Sequence, residues 1–287
     1  MKDAYRTVGR ELKRDLNDLA KVEARWAANG LSASVEASGL NLGVGLAEGE
    51  LLRQIVAARP FQGALLRDWA AKLERDAFTR VAGAIRQGML QGESIDKIVR
   101  RLRGTRAGKF ADGILAISRR EAETIARTAV SHVANGARDA VWAENEDLIS
   151  GLRWVATLDG RTCEICIPRD GKLYTLDHKP IGHSIPWGAG PGRLHMRDRC
   201  TSVPELKTWR ELGISAAEVT GEQRAALGGF VPSETTFEKW IATQPAAVQN
   251  QALGVRRATL LRSGKETFKE MFDRKGHLVL LKDLEAA

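Results

Sequence analysis

Cysteine is scarce in this 287-residue chain: there are three, all between Cys163 and Cys200. An odd, clustered set argues against a disulfide framework and fits a reducing compartment. Aromatic residues make up only 6% while alanine and leucine abound, so the cores should be built mainly from helices. No stretch holds 18 uninterrupted apolar residues, and Met1-Lys2-Asp3-Ala4-Tyr5 opens no apolar leader. A soluble protein made in the cytoplasm, with no membrane contact, is expected. Also missing are a P-loop, a dinucleotide glycine pattern, a nucleophile elbow and a His-Glu-x-x-His helix. Their absence removes the commonest enzyme readings, and no fixed-period repeat or low-complexity tract suggests a solenoid or a disordered chain.

What is present starts with charge. Forty-four basic residues against 36 acidic give a formal charge of +8, which favours contact with polyanions without demonstrating it. The strongest local excess is Arg100, Arg101, Arg103, Arg106 and Lys109, with no acid between Asp96 and Asp112. Such a segment either neutralises phosphates in a salt-dependent, sequence-independent way or is a solvated helix end and loop.

The cysteines and one histidine carry the most specific pattern: Cys163-x2-Cys166, then 28 residues, then His195-x4-Cys200. Two cysteines two residues apart can face a metal across a tight turn, and a second pair supplies the remaining corners of a tetrahedral zinc site. Asp159-Gly160 and Asp170-Gly171 flank the first pair with turn residues, as in a zinc knuckle. Four protein ligands leave no open position, so Zn2+ here would be structural. Asp198, His178 and His183 are possible substitute ligands, and three unrelated reduced thiols are the plain alternative. The loop from His178 to Arg193 contains three prolines and four glycines and would need a staple, which a metal joining its two ends could supply.

The same stretch carries a family resemblance. Trp154 to Asp159, Arg161-Thr162-Cys163-x2-Cys166, Asp170-Gly171-Lys172 and His195 to Cys200, followed by Thr201 and Pro204, resemble the core of the Mu F-like phage head morphogenesis family. The likeness runs from about Ser118 to Pro204. Where the family commonly ends this core with His-Pro-Asn-Cys-Arg-Cys, Met196, Arg197 and Asp198 stand here in place of Pro, Asn and the first Cys. The resemblance implies a minor head protein of the virion, made in the host cytoplasm. Its partners would be the portal, the major capsid protein or the scaffold, with packaged double-stranded DNA as a further contact. It also implies no catalysis, and it gives Arg127, Thr128, Asn135 and Arg138 packing and interaction roles on the helix before the cysteines. The competing enzymatic reading is a zinc-supported HNH-like nuclease in which His178, after Asp177, would activate water. Its later Asn and His are not recognisable. A thiol hydrolase using Cys163 or Cys200 with His195 lacks a third orienting group.

Along the chain, three regions are expected: helices over 1–117, a Mu F-like core with a β segment over 118–206, and a helical appendage over 207–287. The fold class is mainly α with a small β insertion. An amphipathic helix from Asp3 to Ala28 would show Val8, Leu12, Leu16, Leu19, Val22 and Trp26 on one face, packed at home or docked on a partner. Leu31 to Gly49 reads as a connector. A helix from Pro60 to Leu90 would have its proline in the first turn, Gly92 after its end and Ser94 capping the next helix. Ser118 and Glu121 fit a capping box for a helix running to Asn145, with His132 at its surface or partly buried. Strands are expected at Leu152–Leu158, Leu173–Leu176 and Thr201–Val203, and helices again at Trp209–Leu212 and Ala216–Leu227.

Overall fold

The computed structural model describes residues 2–37, 42–215, 223–226 and 229–284. It is mainly helical with a small four-stranded antiparallel sheet and, among the described residues, a separate two-stranded one, the class expected. Two compact units divide the chain: Met1–Arg25, Ala47–Ala140 and His195–Asp198 form the first, and Trp26–Leu46, Val141–Leu194 and Arg199–Ala287 the second. Among the described residues no helix is long and apolar enough to cross a membrane.

Helix α1 spans Lys2–Glu36, so the expected connector from Leu31 is in its first part a continuation of the helix. The reason lies in which face is buried. Leu16, Ala20, Ala24, Ala27, Leu31 and Val35 recur at steps of four and three and are all buried. Burying Leu31 and Val35 outweighs the weak helix propensity of Gly30, Ser32 and Ser34. The bulkier stripe expected inside shares only Leu16 with this row; Val8, Val22 and Trp26 are exposed.

In the first unit α2 covers Gly49–Ala57 and buries Leu52, Ile55 and Val56. Pro60 does not open the next helix. Phe61 and Ala64 exchange two backbone hydrogen bonds of 3.0 and 3.2 Å around Gln62 and Gly63, both at positive φ, and this tight turn delays α3 to Leu66–Leu90. Gly92 turns left-handed, and the Ser94 hydroxyl accepts from the Lys97 amide to cap α4, Ile95–Arg103, as expected. The helix expected from Ser118 begins a turn earlier: α5 spans Ile114–Glu144. Ser118 and Glu121 therefore form no cap; both accept from the Arg80 guanidinium, at 3.1 and 2.7 Å. Small residues let α2 come close to α5, since a Cβ on Gly136 would lie 2.8 Å from Ile55 Cγ2. His132 is buried, 5.5 Å from the Phe61 ring, rather than at the helix surface.

In the second unit, β1 (Ile149–Val155), β2 (Leu173–Tyr174), β3 (Pro180–Ile181) and β4 (Thr201–Leu206) form an antiparallel sheet in the order β3-β2-β1-β4. Pro204 is tolerated because β4 is an edge strand. Beyond it Trp209–Gly213 is a single turn, not a helix. Most of the helix expected over Ala216–Leu227 lies outside the described residues, but Gln223–Ala226 is strand β5, paired with β6, Gly229–Pro232.

Among the described residues four short helices follow: α6 (Phe237–Ala242), α7 (Ala246–Leu253), α8 (Val255–Arg262) and α9 (Leu281–Leu284). Phe237, Trp240, Ile241, Leu253 and Phe268 pack in one core with Leu158 and Ile167 from the cysteine region. Asp170, also buried, ties the two together: one carboxylate oxygen accepts from the Ala156 amide at 2.7 Å, the other from the Phe237 amide at 2.6 Å.

Candidate metal centre

The first ligand pair is set by a turn that starts where β1 ends. Asp159 accepts from the Arg161 amide at 2.9 Å and receives both arms of the Arg199 guanidinium at 2.6 and 2.8 Å. That hydrogen-bonded ion pair holds the carboxyl down at about 2. The Cys163 carbonyl then accepts from the amides of both Cys166 and Ile167 at 3.0 Å, a single helical turn that brings the two side chains to one side. It runs into a 3-10 turn, Ile167–Arg169, whose buried arginine donates to the Ile165 and Pro186 carbonyls.

The second pair lies on a turn in which the Asp198 amide donates to the His195 carbonyl at 3.2 Å and Arg197 sits at φ 60°. A row of hydroxyls one face of α5 apart holds this turn. Thr128 Oγ1 accepts from the Arg197 amide at 3.0 Å, Thr124 Oγ1 from Arg197 Nε at 2.9 Å, and Ser131 Oγ donates to the Asp198 carbonyl at 2.8 Å. Thr128 was legible through the family likeness. Thr124 and Ser131 were missed, although their spacing of four and three around Thr128 puts all three on one helix face.

Ligand atoms of Cys163, Cys166 and His195 lie within 4.8 Å of one another, and so do those of Cys166, Asp198 and Cys200. Cys166 belongs to both groups. Residues 79–203 match the family described as Phage Mu protein F like protein. Over these residues the chain is similar to that family. The match begins in α3, upstream of Ser118, and covers somewhat less than half of the chain. No curated protein and no solved structure matches it.

The residues of this matched stretch fit a metal by their chemistry. Thiolates and an imidazole are the donor set of a structural zinc site. His195 Nδ1 lies 2.8 Å from the Met196 carbonyl, so Nδ1 carries the proton and Nε2 keeps its lone pair for a cation. Metal-binding histidines commonly donate their second nitrogen in this way. Asp198, which stands where the family pattern has a cysteine, is buried with its carboxylate facing Cys166 and Cys200.

His178 and His183 are in neither group. The His183 ring donates from Nε2 to the Leu173 carbonyl at 2.8 Å and accepts at Nδ1 from the Ile185 amide at 3.2 Å; burial lowers its pKa. His178 stacks on Trp187 at 4.6 Å, with the planes 4° apart. The same Trp187 meets Trp154 and Tyr174 edge-on at 5.2 and 4.9 Å. The proline- and glycine-rich loop thus has an aromatic plug of its own.

The basic segment is less uniform than its sequence. Arg101 is paired with Glu93 at 2.5 Å and Arg103 lies over the Phe110 ring, whereas Arg100, Arg106 and Lys109 are exposed and make no ion pair among the described residues.

Proposed function

We propose that this chain is a structural minor protein of a tailed-phage head, acting in head morphogenesis beside the portal and present in few copies. The match of residues 79–203 to the Mu F-like family supports this reading. Its partners are the portal, the major capsid protein or the scaffold. Cys163, Cys166, His195 and Cys200 hold a structural Zn2+, with Asp198 the substitute corner that the geometry offers. The metal keeps the shape of the cysteine region and takes no part in turnover. Exposed Arg100, Arg106 and Lys109 support a sequence-independent contact with packaged DNA, whereas Arg101 and Arg103 are engaged within the chain.

The nuclease alternative gains nothing from the geometry, because His178 is stacked on Trp187 and lies in no group of metal-ligand side chains among the described residues. Mass analysis of intact virions tests the main reading: the protein should be present in substoichiometric amount. Its absence from particles, or magnesium-dependent DNA cleavage lost in His178→Ala, would overturn it.

A further inference from the structure

The apolar residues that α1 leaves outside its own core are not scattered. Val8, Leu12, Asp15, Leu19, Val22 and Trp26 follow one another at alternating steps of four and three, and only Asp15 interrupts the apolar run. That 3.5-residue spacing is the pattern of a helix that pairs with another helix. At 3.6 residues per turn the centre of this row lies about 130° around the helix from the buried row of Leu16, Ala20, Ala24 and Leu31. Val8, Val22 and Trp26 are 59%, 61% and 64% exposed, and Leu12 and Leu19 are half-buried.

We propose that this face of α1 is where two copies of the chain associate, with α1 lying antiparallel against α1 of the second copy. Charge selects both the occupant and the direction. With Leu12 set against Val22 of the second copy, Val8 meets Trp26 and Asp15 lies beside Leu19. The residues flanking that seam then bring Glu11 against Arg25 twice, once on each side of the two-fold axis. Glu11 and Arg25 are exposed and make no ion pair within the chain among the described residues. A parallel arrangement would instead set Asp18 against Glu23 and leave Glu11 facing Leu16. In the antiparallel one Asp18 meets its own counterpart, each already held by Lys21 at 3.2 Å.

Size sets the strength. From Val8 to Trp26 the seam is about 27 Å long and about 10 Å wide, which places the interface below the roughly 1,200 Å2 of a standard stable complex. With a carboxylate inside the seam, the dimer is weak and reversible. The proposal does not rest on the head-protein reading, and its test needs no phage.

Sedimentation of the full chain from about 1 μM to about 1 mM should show a monomer passing to a dimer. Asp15→Leu should tighten association by about tenfold or more, a gain that no structural defect would imitate, and Val22→Glu should weaken it with the helical circular dichroism unchanged. Glu11→Arg alone and Arg25→Glu alone should each weaken the dimer, and the double variant should restore it. A monomer at every concentration, in the wild type and in Asp15→Leu alike, overturns the proposal. So does a dimer indifferent to residues 15 and 22, or capture of a different helical protein on this face in place of a second copy. A dimer that the double charge swap fails to restore overturns the antiparallel register.

Discussion

Replacing Cys166 with serine is the most informative change in the candidate metal centre, because Cys166 is the side chain shared by the two groups of potential ligands. Serine keeps the size and turn geometry but offers no thiolate. The zinc content of protein purified with zinc should fall from about one equivalent to none. A ligand present at about a thousand times its dissociation constant stabilises the folded state by about 4 kcal/mol. For a chain of this size that is roughly 8 to 16 °C in the unfolding midpoint. Adding a chelator to the wild type should reproduce the shift, and adding it to Cys166→Ser should do nothing further, which closes the comparison. Cys200→Ser removes a ligand from one group only and leaves Cys163, Cys166 and His195 in place, so its loss should be smaller. Elemental analysis with scanning calorimetry reads both quantities. Wild-type protein free of metal after exposure to zinc, or Cys166→Ser retaining a full equivalent, would refute the reasoning.

Asp170→Ala strands two buried amides, those of Ala156 and Phe237, and should cost about 3 to 5 kcal/mol in denaturant unfolding; Asp170→Asn, which keeps one acceptor, should cost about half as much. Trp187→Ala empties the aromatic plug and should cost about 3 to 5 kcal/mol, with the loop from His178 to Arg193 gaining protease sensitivity before the rest of the second unit. Gly136→Ala drives a methyl to 2.8 Å from Ile55 Cγ2 and should lose about 1 to 3 kcal/mol, whereas Gly83→Ala, with open space around it, should be neutral or stabilising. The Asp159 carboxyl, held at about 2 in the folded chain against an ordinary 3.8, contributes stability that is full above the ordinary value and disappears as pH falls through about 2. Asp159→Asn in metal-free protein should flatten that acid limb by about 1 kcal/mol, screening by solvent at the half-exposed Arg199 included.

Local chemistry makes part of this protein legible from its sequence alone. Gly92 and Ser94 punctuate α3 and α4 because a left-handed residue and a hydroxyl cap act through neighbours only. The strand pattern around Trp154 and Thr201 and the turn at Asp170-Gly171 are equally local, as is the Cys-x2-Cys turn, and all were readable. The side of α1 that would be buried was not readable. An alanine row and a leucine, valine and tryptophan row compete at nearly the same helical period, and only close helix packing favours the smaller side chains. Ser118 and Glu121 satisfied the capping pattern but receive Arg80, a partner 38 and 41 residues away that no window around the box contains.

The candidate metal centre divides in the same way. Cysteine and histidine types and spacings named the candidate donors, since thiolate and imidazole chemistry belongs to the residues themselves. The three-dimensional fold alone decided that Asp198 stands with Cys166 and Cys200, that His178 stacks on Trp187 and His183 bonds the Leu173 and Ile185 backbone instead, and that hydroxyls of α5 hold the His195 turn. Those choices depend on contacts between segments distant in the chain, and such contacts are fixed by packing, which composition and periodicity do not contain.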